Sequence, residues 1–169
     1  MRASRPSARG FTLIELVITL ALVGLLTMTA LPLYEVVSTR MKETELRSAL
    51  RTLRAALDAY KAASDSGAIP RETGASGYPP NLEVLVQGVE IGDKSDVTLG
   101  GKSTTQKRVF LRQVPRDPFN LDPGLPAAQT WQTRAYGSPP ESPQSGEDVF
   151  DVSSTVTRVG LNGLPYSSW

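Results

Sequence analysis

The feature that most constrains this chain is a run of 18 residues, Leu16–Leu33 (LVITLALVGLLTMTALPL), that carries no charge. As a helix rising about 1.5 Å per residue, such a run reaches the lower limit for crossing a hydrocarbon core about 30 Å thick. The ten residues before Phe11 hold Arg2, Arg5 and Arg9 and no acid. The positive-inside rule therefore predicts a cytoplasmic N-terminus, with everything after the run on the far side of the membrane. Phe11 to Tyr34 contains one charged residue, Glu15. A secretory signal peptide shares this outline, and Pro32 permits a break near a cleavage site. Against it stand the length of the apolar run and the acid at its start.

After Pro32 the apolar spacing changes. Leu46, Leu50, Leu53, Leu57 and Tyr60 recur at intervals of four and three, with Arg47, Arg51, Arg54, Asp58 and Lys61 on the other faces. This is the pattern of an amphipathic helix with a narrow stripe. Six alanines between Ala49 and Ala63 add helix propensity, and Gly67 and Pro70 mark the end. Read as one helix, Phe11 to about Ser64 is roughly 80 Å long. No domain of this size can bury it, so lipid or other chains must cover part of it. Gly24 and Pro32 are its expected soft points.

The remainder is rich in Gly, Ser, Thr and Pro, with a helix-like patch at 81–87. Strand-like runs, each bounded by Pro or Gly, occur at Lys107–Val114, Thr130–Tyr136 and Asp148–Ser153. Three short antiparallel strands packed on the amphipathic helix predict an α+β fold. The expected division is a leader at 1–10, a transmembrane or filament-core helix at 11–33, its amphipathic half at 34–64, and an α+β head at 65–169 with a variable loop and a C-terminal loop.

Composition narrows the chemistry. The 169 residues include no Cys and no His, which removes disulfides, thiolate sites, the commonest zinc ligand and every Ser-His or Cys-His triad. Eighteen bases against 17 acids argue against a nucleic-acid-coating protein. Removing the three leader arginines leaves 15 bases against 17 acids, a net of −2. No convergent carboxylate pair suggests an enzyme. Leu99–Thr104 (LGGKST) resembles the end of a phosphate-binding loop, but Asp96 stands where the pattern needs its first Gly. The leucine stripe is too short to define a coiled coil, and Trp131 reads as a core or edge-covering residue before a ligand platform.

Arg9-Gly10-Phe11-Thr12-Leu13-Ile14-Glu15, opening an apolar helix, resembles the class III signal of type IV pilins and pseudopilins. The resemblance implies cleavage by a prepilin peptidase between Gly10 and Phe11 and methylation of Phe11. Glu15 then becomes the fifth residue, where that family keeps an acid, and Pro32 matches its helix-bending proline. An acid in an apolar helix costs roughly 2.5–3.5 kcal/mol at the bilayer centre. The family offsets this with the N-terminal amine of a neighbouring subunit, so the resemblance gives Glu15 a role in setting register between subunits. The simpler reading is an interfacial acid favouring the helix dipole.

Val109–Phe119 (VFLRQVPRDPF) is similar to the major pseudopilin of type II secretion systems, as are Asp148–Ser154 and the Gly160–Tyr166 loop. The Pro-rich 120–129 segment departs from that pattern. The resemblance raises calcium as a cofactor, with Asp148, Asp151 and Asn162 as candidate ligands. The 155–169 loop holds no acid, however, and calcium prefers six to eight oxygens with several carboxylates. The alternative is that these acids are solvated strand ends and that Leu164, Tyr166 and Trp169 pin the loop by burial. The implied partners are further copies in a helical filament, other pseudopilins, the prepilin peptidase, and an inner-membrane assembly platform with its ATPase. The implied location is the bacterial inner membrane, crossed once, with the head in the periplasm. A pilus subunit or minor pilin for adhesion, motility or DNA uptake is the alternative. A monomeric membrane-anchored periplasmic binding protein is the alternative from another class.

Overall fold

The computed structural model describes residues 10–91 and 106–169. Arg2, Arg5 and Arg9 and the Leu99–Thr104 segment lie outside the described residues. Helix α1 runs from Leu13 to Asp65, 53 residues, followed by a short helix α2 at Glu83–Gln87. Strand β1 (Val89–Ile91) pairs antiparallel with β2 (Gln106–Arg108), and β3 (Trp131–Arg134) pairs antiparallel with β4 (Asp151–Ser154). The fold is α+β, as expected: a long apolar-to-amphipathic helix with small antiparallel sheets. The chain divides into two units between Arg40 and Met41.

In the first unit, α1 passes through Pro32 without ending. Proline removes the amide that the Met28 carbonyl would normally accept from, so this turn is held by one bond fewer. Large apolar side chains along this stretch are exposed, from Leu13 at 82% to Leu33 at 65%.

In the second unit, the expected stripe is the core. Leu46, Leu50, Leu53, Leu57 and Tyr60 are all buried on one face of α1. They pack with Leu82 and Leu85 around α2, Trp131 of β3, Val152 of β4, and Leu111, Val149 and Tyr166. The helix ends where Gly67 takes φ 75°, a backbone conformation that favours glycine.

The head differs from expectation in its strands. It has two separate two-stranded sheets among the described residues rather than one sheet of three strands. Only Gln106–Arg108 belongs to a strand in the 107–114 region. Beyond it, the amides of Phe110 and Leu111 both donate to the Leu85 carbonyl at 3.0 Å, so the chain leaves the ladder to satisfy a helix-end acceptor. Gly88 permits the neighbouring β1–β2 approach, since a Cβ there would lie 2.7 Å from the Arg108 carbonyl oxygen. Strand β4 begins at Asp151, so Asp148, expected at the start of that strand, precedes it. Strand β1 was not expected, because three residues are too few to display a period.

Asp117 is fully buried. Its Oδ1 accepts from the Phe119 amide at 2.8 Å, its Oδ2 from the Ser154 hydroxyl at 2.6 Å, and its own amide donates to Thr130 Oγ1 at 3.1 Å. It ties the loop after Pro115 to the ends of β3 and β4. Trp131 is buried and donates its indole N–H to the Pro115 carbonyl at 2.8 Å, as a core residue does.

Truncating a fully buried stripe residue removes transfer energy and leaves a cavity. Leu53→Ala is expected to destabilise the head by about 2–5 kcal/mol, read as a lower urea midpoint of the full chain in detergent. Arg51→Ala, on the exposed face of the same helix, is expected to change stability by less than about 0.5 kcal/mol.

Candidate functional site

Phe11 and the start of α1 form the first site. Thr12 stands before the first helical residue and Glu15 is the third residue in, the spacing of a capping box. The Glu15 carboxylate accepts from the Thr12 amide at 3.0 Å and from its hydroxyl at 2.9 Å. In return the Glu15 amide donates to Thr12 Oγ1 at 3.3 Å. Two amides that a helix start leaves unpaired are thereby satisfied. Glu15 is thus a local cap, and the signal for it (Thr-x-x-Glu before an apolar run) was present in the sequence. Phe11 is 79% exposed, and Gly10 and Pro32 are exposed as well.

Two hydroxyls in the apolar run are also accounted for. Thr19 donates to the Leu16 carbonyl at 2.9 Å and Thr27 to the Val23 carbonyl at 2.8 Å. These bonds leave neither hydroxyl seeking water. One helix among the described residues is long and apolar enough to cross a membrane, and none of its apolar stretch is buried.

The second cluster joins the 155–169 loop to α1. Glu43 is buried, and Oε1 accepts from the Leu161 amide at 2.7 Å and the Tyr166 hydroxyl at 3.2 Å. Arg47 lies 3.6 Å from Oε2, and its guanidinium sits 4.2 Å above the Trp169 ring. Tyr166 stacks on Phe119 with centroids 4.2 Å apart. Gly160 is required here by space: a Cβ would come 2.9 Å from Glu43 Oε1 and 2.8 Å from Trp169. Tyr166 is buried and Trp169 partly so, as the pinning reading expected, but Leu164 is 56% exposed and does not take part. Its backbone closes a tight turn, the carbonyl accepting from the Gly160 amide and the amide donating to Asn162 Oδ1. The sequence reading missed Glu43, although it continues the 46, 50, 53, 57 stripe one step back.

The candidate calcium ligands each have partners of their own. Asp151 Oδ1 accepts from Arg54 Nε and from the Val152 amide, both at 2.8 Å, with Arg134 3.7 Å from Oδ2. Asp148 Oδ1 accepts from the Tyr136 amide at 2.8 Å, and Asn162 Oδ1 from the Leu164 amide at 3.0 Å. Asp148 and Asp151 line different cavities. Among the described residues, no three His, Cys, Asp or Glu side chains form a group able to hold a metal ion. The arrangement does not present Asp148, Asp151 and Asn162 as one donor set, and a carboxylate shared between two arginines is poorly placed to serve calcium.

Residues 5–31 match the family model described as the prokaryotic N-terminal methylation motif. No curated protein and no solved structure matches the chain. The matched segment covers Gly10–Phe11, the Thr12–Glu15 cap and the apolar run as far as residue 31. The chain therefore carries the class III signal typical of type IV pilin-like proteins, which are structural rather than enzymatic. That signal implies processing by a prepilin peptidase and association with a membrane. Together with the apolar helix, it points to an inner-membrane anchor bearing a periplasmic head.

Burial raises the Tyr166 pKa above the ordinary 10.0, and the nearby Glu43 carboxylate raises it further. The folded chain then keeps a proton that the unfolded chain has lost. The stabilisation is intact below pH 10.0 and falls as pH rises through the folded value. Burial pushes Tyr60 and Tyr78 the same way. Thermal melts above pH 10.0 are expected to fall steeply, and Tyr166→Phe to reduce the slope. Glu43→Ala removes the acceptor of two donors and is expected to cost about 1.5–3 kcal/mol, with faster hydrogen exchange at the Leu161 amide.

Proposed function

We propose that this chain is a structural subunit of a type II secretion pseudopilus. The observation that carries the reading is the juncture at Gly10–Phe11: a methylation motif leads directly into a capped apolar helix that is left uncovered among the described residues. In this reading the chain inserts with Arg2, Arg5 and Arg9 in the cytoplasm, and a prepilin peptidase removes residues 1–10. Phe11 becomes the methylated N-terminus. The 11–33 helix waits in the inner membrane until an assembly ATPase and platform draw it into a filament, where other copies replace lipid around it. Filament growth then drives protein export.

Glu15 acts in this scheme as the register acid, meeting the amine of Phe11 in a neighbouring subunit. That amine has a pKa near 8 when unperturbed and is largely charged at neutral pH. The partnership with Thr12 leaves the carboxylate satisfied in the isolated subunit, so the neighbour's charge selects a position more than it rescues a bare acid. The similarity of Val109–Phe119 to major pseudopilins supports secretion over a pilus, and so does the lack of any cysteine for a pilin disulfide.

Intact mass and N-terminal sequencing of the membrane-extracted chain, with and without the peptidase, test this directly. The expected product starts at methylated Phe11, and Glu15→Ala is expected to abolish filaments while leaving cleavage intact. Deleting the chain from its host should stop export and spare surface pili. Loss of adhesion, motility or DNA uptake instead would indicate a pilus subunit or minor pilin. A monomer that retains Met1 would indicate a membrane-anchored binding protein. Calcium at Asp148, Asp151 and Asn162 is a separate test: we expect a chelator to leave the melting temperature of the head unchanged.

A further inference from the structure

We propose that the 158–164 segment of the C-terminal loop is a docking element for an anionic phospholipid surface. The proposal rests on the reading of the chain as a membrane-inserted subunit. Its starting observation is that a tightly organised loop exposes its aliphatic side chains. Val159 is 61% exposed, Leu161 49% and Leu164 56%. They are held in that position by the backbone. Val159 bridges to Pro165, the Gly160 amide donates to the Leu164 carbonyl at 2.8 Å, and Gly163 closes the turn at φ 80°. The Leu161 amide is fixed to buried Glu43. The loop had a core within reach, since its Tyr166 is fully inside it, yet three aliphatic residues are left in solvent. An exposed, ordered apolar cluster of this kind marks a contact surface.

Charge identifies the occupant. The 155–169 loop carries Arg158 and no acid. The part of α1 it rests on, residues 41–51, carries Lys42, Arg47 and Arg51 against Glu43 and Glu45. Glu43 is buried and pairs with Arg47, so these two cancel, and Glu45 is left opposing exposed Arg51 and Arg158 and half-buried Lys42. Aliphatic side chains flanked by exposed bases are the composition of a surface that settles into a headgroup layer, with cations on phosphates and the apolar tips at the acyl boundary. Glu43, which holds the loop, follows Leu33, the last residue of the apolar run, by only ten residues in the sequence. Aromatic Trp169, under Arg47, adds a residue type favoured at that depth. A second copy of this chain offers the apolar half of the match but, with a near-neutral charge balance, not the anionic half.

The chain lacks cysteine, so single-cysteine variants of the full-length protein can carry an environment-sensitive dye. Leu161→Cys, Leu22→Cys and Thr73→Cys would be labelled in nanodiscs holding one copy each. The discs would be made of phosphatidylethanolamine with phosphatidylglycerol, or of phosphatidylcholine alone, with spin-labelled lipid as quencher. The expected result in the anionic discs is quenching at 22 and 161 and none at 73. Quenching at 161 should be lost in phosphatidylcholine, and Arg158→Gln should lower the docked-to-free ratio about five-fold. Quenching at 22 with none at 161 overturns the docking proposal and leaves insertion standing. Equal quenching at 161 in both lipids overturns the anionic recognition. No quenching at 161 in these discs, with a blue shift of the dye there when discs are loaded with two copies, overturns the lipid docking and assigns the surface to a second subunit. No quenching at 22 sinks the insertion reading and the docking with it.

Discussion

Neither sheet of this head is large enough to stand alone. Two-stranded antiparallel pairs are marginal in water, and here each has three or four residues per strand. The face of α1 from Leu46 to Tyr60 supplies what they lack, a continuous apolar wall against which α2, β3, β4 and the last loop all pack. The rest of the head depends on that wall. The helix satisfies its own backbone, so its side chains alone decide what surrounds it. From Met41 onward they demand a one-sided protein cover, and before Leu33 they demand an apolar medium all round.

Much of this was legible in sequence, because it is periodic. The uncharged run, the leucine stripe and the Gly67 stop are each written in local spacing, and each appears in the fold where spacing put it. The short strands were less legible. Lys107–Val114 alternates as a strand should, but Phe110 and Leu111 are drawn off by a carbonyl of α2, a demand made more than twenty residues away. The pairing of β3 with β4, which sets Arg134 opposite Asp151, likewise depends on two segments meeting and not on either alone.

The polar organisers were the least legible. Glu43 and Asp117 look like surface acids in the sequence and are buried, each accepting from two donors. Burying a carboxylate is costly unless donors converge on it, so such a residue accepts few alternative arrangements of its neighbours. Glu43 fixes the last loop against α1, and Asp117 fixes the loop after Pro115 against the ends of β3 and β4. Both contacts join segments distant in the chain. Hydrophobic periodicity carries no trace of them.

The threonines of the apolar run have a consequence beyond their own bonds. Thr19 and Thr27 direct their hydroxyls to carbonyls within α1, and the Thr12–Glu15 pair closes the start of the helix on itself. At Thr19 and Thr27 the helix is therefore chemically indifferent to the identity of its apolar neighbours. Moving it from acyl chains to side chains of another protein breaks none of these hydrogen bonds and creates no new unmet one. For these hydroxyls such an exchange is close to isoenergetic, so away from Glu15 shape is left to decide which neighbour the helix keeps.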